Sequence, residues 1–162
     1  MKTKDQSYAT ELERALARPD AKKLLRQSDR YIAYWESSAG EREWRDDEFD
    51  DFCEVMDSGS PDIRGFYDPD KGMAYISIAV SKSDDPQTLA FYGVQILEDL
   101  LRDPSDELLQ RVVAEAHRSP RFRWMLSNPF KVAVSEKAWE AIKEFRITGP
   151  HEEPAFDTLP PR

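Results

Sequence analysis

The sequence predicts a mainly α, single compact multi-helix domain with one short β-hairpin. Three observations predict it. Apolar residues recur at helical spacing in segment after segment. Helix punctuation is frequent: Asp20, Asp85-Pro86, Asp103-Pro104, Ser119-Pro120 and Ser135 each read as a cap, three of them joined to a helix-starting proline. Only one stretch, 63–80, reads as strand. At 162 residues the chain is one domain with room for a proper core. The predicted organisation is a globular part over 1–146 and a proline-rich tail over 147–162.

Taken in order, a first helix is predicted over 7–17, ending near Pro19. Asp20 then caps a second over 21–37, with Leu24, Leu25, Tyr31, Ile32 and Trp35 as core. Ser38-Ala39-Gly40 breaks it, and an acidic helix follows over 41–57. Ser58-Gly59-Ser60-Pro61 ends that helix. The predicted hairpin has arms at 63–67 and 73–80 around Asp68-Pro69-Asp70-Lys71-Gly72, where proline and glycine suit a tight turn. Its second arm, MAYISIAV, holds β-branched residues in partial alternation.

From Asp84 the pattern is helical again. The helix from Pro86 to about Leu101 is apolar over most of its circumference, through Leu89, Val94, Ile96, Leu97, Leu100 and Leu101. That makes it the predicted central helix, with Gly93 allowing close packing. Asp103-Pro104 starts a helix to Arg118 with Leu108, Leu109, Val112, Val113 and Ala116 inward. Ser119-Pro120 starts a short one through Leu126. Ser135 caps the last, to Phe145, with Trp139 and Ile142 inward. The remaining residues hold four prolines and predict an extended tail, either disordered or packed along the surface.

The charge is unevenly placed. The stretch 41–57, EREWRDDEFDDFCEVMD, holds nine carboxylates and two arginines, a net −7 within a chain of −9. On a helical wheel Trp44, Phe49, Phe52, Cys53, Val55 and Met56 share one half. Glu43, Asp46, Asp47, Asp50, Asp51, Glu54 and Asp57 share the other. Arg42 and Arg45 fall in the apolar half, with Glu41 and Glu48. Like-charge pairs four residues apart, such as Asp46/Asp50 and Asp50/Glu54, cost roughly 0.2–0.5 kcal/mol each. Burial of the opposite aromatics offsets this at roughly 1.5–3 kcal/mol per large side chain. Two readings of the stripe stand: a solvated face that keeps the protein in solution, and a docking surface for a basic partner.

Composition excludes several classes. With 40% hydrophobic and 34% charged residues the chain reads as globular with a charged surface. One cysteine, Cys53, excludes an internal disulfide framework and Cys-based zinc sites. The N-terminal residues carry no apolar stretch of signal-peptide type, and no run approaches the ~20 residues of a membrane span. The expectation is a cytoplasmic protein with no membrane association. A charge of −9 makes nucleic acid an unfavourable partner.

Motifs for chemistry are missing. The two histidines, His117 and His151, form no HExxH or ExxH pattern. Asp68, Asp70 and Gly72 begin an EF-hand-like pattern that lacks its closing glutamate. GxSxG, P-loop and GxGxxG patterns do not occur. Cys53 reads as a small core side chain rather than a thiolate nucleophile. No catalytic, cofactor-binding or metal-ligating residue is therefore expected, and no enzymatic activity. One counter-signal is the run from His117 to Trp124, where Arg118, Arg121 and Arg123 interleave with Phe122 and Trp124. Such a run can hold a phosphate or stack a base. Its bland alternative is internal pairing, and the net charge of 105–146 is only +2.

In size, acidity and lack of catalytic motifs the whole chain resembles the immunity proteins of bacterial toxin–immunity systems. Those are often small, acidic, cytoplasmic, cofactor-free domains that bind a cognate toxin and block its active site. The resemblance implies a basic toxin as partner, with Glu43, Asp46, Asp47, Asp50, Asp51, Glu54 and Asp57 facing its cleft. Two other readings stand beside it. One is a regulatory or adaptor protein acting through the aromatic-rich helices or the tail. The other is an enzyme or phosphate-ligand binder near Arg118, Arg121 and Arg123.

Overall fold

The computed structural model describes residues 10–36, 46–62 and 65–162, with side chains from Phe49 onward in the middle segment. The described chain is mainly helical. Its elements are α1 (Glu11–Leu16), α2 (Ala21–Glu36), α3 (Asp46–Met56), α4 (Pro69–Lys82), α5 (Pro86–Tyr92), α6 (Glu98–Leu100), α7 (Asp106–Arg118), α8 (Pro120–Leu126) and α9 (Glu136–Ile142). A π turn, Gly93–Leu97, joins α5 to α6, so that 86–100 runs as one rod.

Local chemistry starts most of these helices. Thr10, Asp68, Asp85, Ser105, Ser119 and Ser135 each accept a backbone N–H three residues on, at 3.1 Å. Caps of this kind contribute about 1 kcal/mol each. Pro69, Pro86 and Pro120 stand just inside their helices, where the missing N–H costs nothing. The expected start at Asp103-Pro104 moves to Ser105, whose hydroxyl takes the Leu108 N–H.

The expected hairpin is corrected. Its turn and second arm form α4, and no strand occurs among the described residues. Ile63 and Arg64, in the first arm, lie outside the described residues. Asp68-Pro69 is a helix cap followed by a first-turn proline, as Asp85-Pro86 is. Gly72 is helical and packs within 3.3 Å of both Leu100 methyls when a Cβ is placed on it. The β-branched residues of MAYISIAV are tolerated because the helix is buried nearly all round: Met73, Ala74, Tyr75, Ile76, Ile78 and Ala79 are all in the core.

α4 therefore takes the central role that the sequence assigned to 86–101. It packs against α1, α2, α5, the π turn and α8. The rod 86–100 lies beside it, burying Leu89, Tyr92, Ile96, Leu97 and Leu100. Two glycines let backbones approach the π turn closely. A Cβ on Gly93 would stand 2.8 Å from the Met125 carbonyl oxygen, and one on Gly59 would stand 2.6 Å from that of Ile96. The close approach expected at Gly93 is thus present, and it is made by α8 and the turn that follows it.

The tail is extended but docked. Ile147 N–H donates to Ser127 Oγ at 3.0 Å, and Trp124 Nε1–H donates to Thr158 Oγ1 at 3.0 Å. Arg121 Nε donates to the Pro160 carbonyl at 2.8 Å. Pro154 is buried, and Leu159 packs against the core. These contacts hold 147–162 along the surface of the helices.

Candidate partner-binding face

The acidic stripe divides between structure and surface. Val55 is fully buried and sets the inward side of α3. Asp51 and Glu54 turn toward α2 and α4. Gln27 donates to Asp51 Oδ1 at 3.1 Å and to Glu54 Oε2 at 2.9 Å. Arg30 pairs with Asp51 at 3.1 Å, while Lys71 and Lys23 reach Glu54 Oε1 at 2.9 and 3.3 Å. Tyr75 O–H completes the network by donating to Gln27 Oε1 at 2.7 Å. Burial opposes ionisation of Glu54, but its bonds to Lys71, Gln27 and Lys23 outweigh this and hold its carboxyl below the usual range.

Asp57 corrects the helical-wheel expectation of an outward carboxylate. It follows the last turn of α3 and is buried. Burial pushes its carboxyl above the ordinary 3.8, so folding favours the protonated form. The contribution of such a group to stability is present below the unfolded pKa and lost as pH rises through the folded one. Asp57→Asn is expected to raise Tm slightly at pH 7, with the gain vanishing below about pH 3.8. Parallel thermal melts across pH check this; equal Tm at neutral pH would show that the carboxylate gains a partner on folding.

What remains on the outer side of α3 is Phe49, which corrects its expected place on the apolar half because it is 52% exposed, beside the exposed Asp50. Asp46 stands one helical turn before Asp50, and Asp47 follows it in the same helix. Glu43 lies outside the described residues. Cys53 is half-buried, and burial, with Asp57 and Asp50, pushes its thiol up, which opposes thiolate chemistry.

Next to α3 lies an aromatic cluster that the wheel of one helix does not reveal. Phe52 stands 5.0 Å from Tyr31 and 5.5 Å from Tyr34 between ring centroids. Trp35 stacks on Phe91 at 4.0 Å. Tyr34, Trp35, Phe52 and Phe91 are each only partly covered. Trp35, expected in the core from α2 periodicity, is half-buried and packs against the core from its edge. The consecutive Tyr34-Trp35 at the end of α2 is the one local signal for this face.

The arginine run is spent internally. Arg118 pairs with Glu115, Arg123 donates to the Ala116 carbonyl at 2.7 Å, and Arg121 donates to the Ser83 carbonyl at 2.8 Å and to Asp84 at 2.9 Å. Phe122 and Trp124 are core residues. A groove of about 220 Å³ beside Arg118 runs between α1, α4, α7 and α8, with Met73, Ile76 and Phe122 in its wall. Ser77 and Ser81 also line it, but their hydroxyls donate to the Ala74 and Ile78 carbonyls.

Among the described residues no group of three or more His, Cys, Asp and Glu is placed to hold a metal ion. Among them no helix is long and apolar enough to cross a membrane. His117 is exposed and meets Phe145 edge-on at 4.8 Å. Compared with known proteins, the chain matches no protein-family model, no curated protein and no solved structure.

Proposed function

We propose that this chain is a non-enzymatic binding protein of the immunity type. It neutralises a basic partner, a bacterial toxin domain, by docking an acidic face against it in the cytoplasm. The observation that supports the reading is the outer side of α3: an exposed phenyl ring at Phe49 beside the exposed carboxylate of Asp50. A ring of this kind supplies apolar contact area that water leaves on binding, while rim carboxylates steer encounter and reject acidic competitors. Asp51 and Glu54 play a different part. Bonded to Arg30, Lys71, Lys23 and Gln27, they hold the helix in place so that Phe49 and Asp50 are presented rigidly.

The test is capture of the partner by tagged chain at low and high salt, repeated with Asp50→Lys and Phe49→Ala. The expected result is one stoichiometric basic protein, lost at high salt. Asp50→Lys is expected to weaken that complex by about tenfold or more with Tm unchanged. Unchanged affinity in both variants removes α3 from the interface.

A further inference from the structure

The groove of about 220 Å³ between α1, α4, α7 and α8 joins an apolar wall to two opposite charges. Leu12, Met73, Ile76, Val80 and Phe122 make the wall. Met73, Ile76 and Phe122 belong to the buried core, so packing fixes its shape. Drug-sized ligands fill roughly 300–1,000 Å³, so this groove suits a smaller molecule.

Glu115 and Arg118 stand one turn apart on α7, and both line the groove. Glu115 is only 9% exposed. Its Oε1 accepts the Glu11 N–H at 2.8 Å and a bond from Arg118 Nη2. Its Oε2 accepts no hydrogen bond among the described residues, and a mostly buried carboxylate oxygen without a donor is unfavourable. Arg118 commits one nitrogen to that pair. Its Nε and Nη1 donate to nothing among the described residues, and its side chain is 41% exposed. Ser77 and Ser81 give their hydroxyl hydrogens to the Ala74 and Ile78 carbonyls, so toward a ligand their oxygens act as acceptors.

This set of groups discriminates among small apolar molecules. A fatty acid meets Arg118 but brings its carboxylate to Glu115. An alkyl amine meets Glu115 and the serines but brings a second cation to Arg118. A hydrocarbon strips water from all four groups and gives none of them a partner. A zwitterion with an apolar side chain serves each of them. Its carboxylate takes the free donors of Arg118, its ammonium donates to Glu115 Oε2 and the serine oxygens, and its side chain lies against the wall.

We propose that this groove binds a free apolar α-amino acid of the leucine type. The pair between Arg118 and Glu115 Oε1 stays in place, because the ligand uses the atoms that the pair leaves over. The site lies on other elements than the outer side of α3, so the proposal goes beyond the partner-binding reading and does not rest on it.

The test is a titration of isotope-labelled full chain with three compounds: L-leucine, 4-methylpentanoate, which lacks the amine, and isoamylamine, which lacks the carboxylate. Amide signals of Ser77, Ser81, Glu115 and Arg118 and methyl signals of Met73 and Ile76 are followed. The expected result is saturable leucine binding at these signals with a Kd of about 1 mM or tighter, and each analogue weaker by about tenfold or more. Arg118→Gln is expected to weaken leucine about tenfold while isoamylamine, which has no carboxylate to hold, binds no more weakly. Ser77→Leu, which fills the groove from α4, is expected to abolish leucine binding. Thermal melts show whether each variant is folded, and the partly exposed Arg118→Gln decides alone where Ser77→Leu does not fold. No saturable shift with leucine, equal affinity for the three compounds, or shifts centred elsewhere on the chain overturn the proposal.

Discussion

Trp124→Ala is expected to lower stability by about 3–5 kcal/mol, the range for removing a large buried aromatic. For a chain of this size that corresponds to a fall in Tm of roughly 6–20 °C. Trp124 has no exposed surface and sits on α8, which packs against α4, α5, α7 and the π turn. Its indole N–H also donates to Thr158, so one side chain supports both the core and the docked tail. Trp124→Phe separates the two roles. It keeps most of the buried area and loses the hydrogen bond, for an expected cost of about 1 kcal/mol plus a packing penalty. Denaturant unfolding of both variants, with proteolysis of the tail as a second readout, checks this. A cost below 1 kcal/mol for the alanine variant would show that α8 is not packed as described.

Gly59→Ala is expected to destabilise by about 1–3 kcal/mol, the range for overpacking a tight contact. The usual expectation has the other sign. Gly59 lies in the turn after α3 without a positive φ, and alanine at such a position ordinarily stabilises by about 0.4–1 kcal/mol through the unfolded chain. Here the added Cβ would stand 2.6 Å from the Ile96 carbonyl oxygen and 3.2 Å from Leu100 Cγ. The obstacle is backbone in the π turn, which cannot swing aside as the end of a side chain can. Thermal unfolding of Gly59→Ala, read beside Gly149→Ala, where φ is not positive and an added Cβ would meet only Glu152 Oε2 at 3.6 Å, decides the sign. A raised Tm would show that the turn and the rod 86–100 are further apart than described.

Both expectations concern contacts that no local pattern contains, and this marks where sequence reading stopped. Helix starts were legible because a cap is a contact over three residues: Ser119 to Phe122 and Ser135 to Ala138 needed no knowledge of the rest of the chain. The same local chemistry misled at Asp68-Pro69. An Asp-Pro pair opens a turn or a helix equally well, and the β-branched residues after it favoured a strand. What decided for helix was burial on every side of α4 by α1, α2, α5 and α8, contacts that lie far off in the chain.

The acidic segment shows the same division. Its apolar period was enough to predict a helix, and Val55, which the wheel placed on the apolar half, is in the core. The fate of its carboxylates was not written there. Glu54 is neutralised by Lys71 and Lys23, Asp51 by Arg30, and Asp57 is buried by the turn that follows. The wheel of an isolated helix treats all outward positions as equal. Only the placement of α2 and α4 beside α3 tells an anchoring carboxylate from a presented one.

By itself, then, the sequence determined the helical class, most helix starts, much of the core and the acidity of the chain. These depend on hydrophobic period, capping and composition, all of which act over a few residues. The tertiary structure alone decided that 69–82 is helical, which acids stay exposed, that Arg121 and Arg123 serve the fold, and that Arg162 returns to the α4–α5 turn. Those outcomes depend on groups as far apart as Asp84 and Arg162, whose encounter requires the whole chain to fold first.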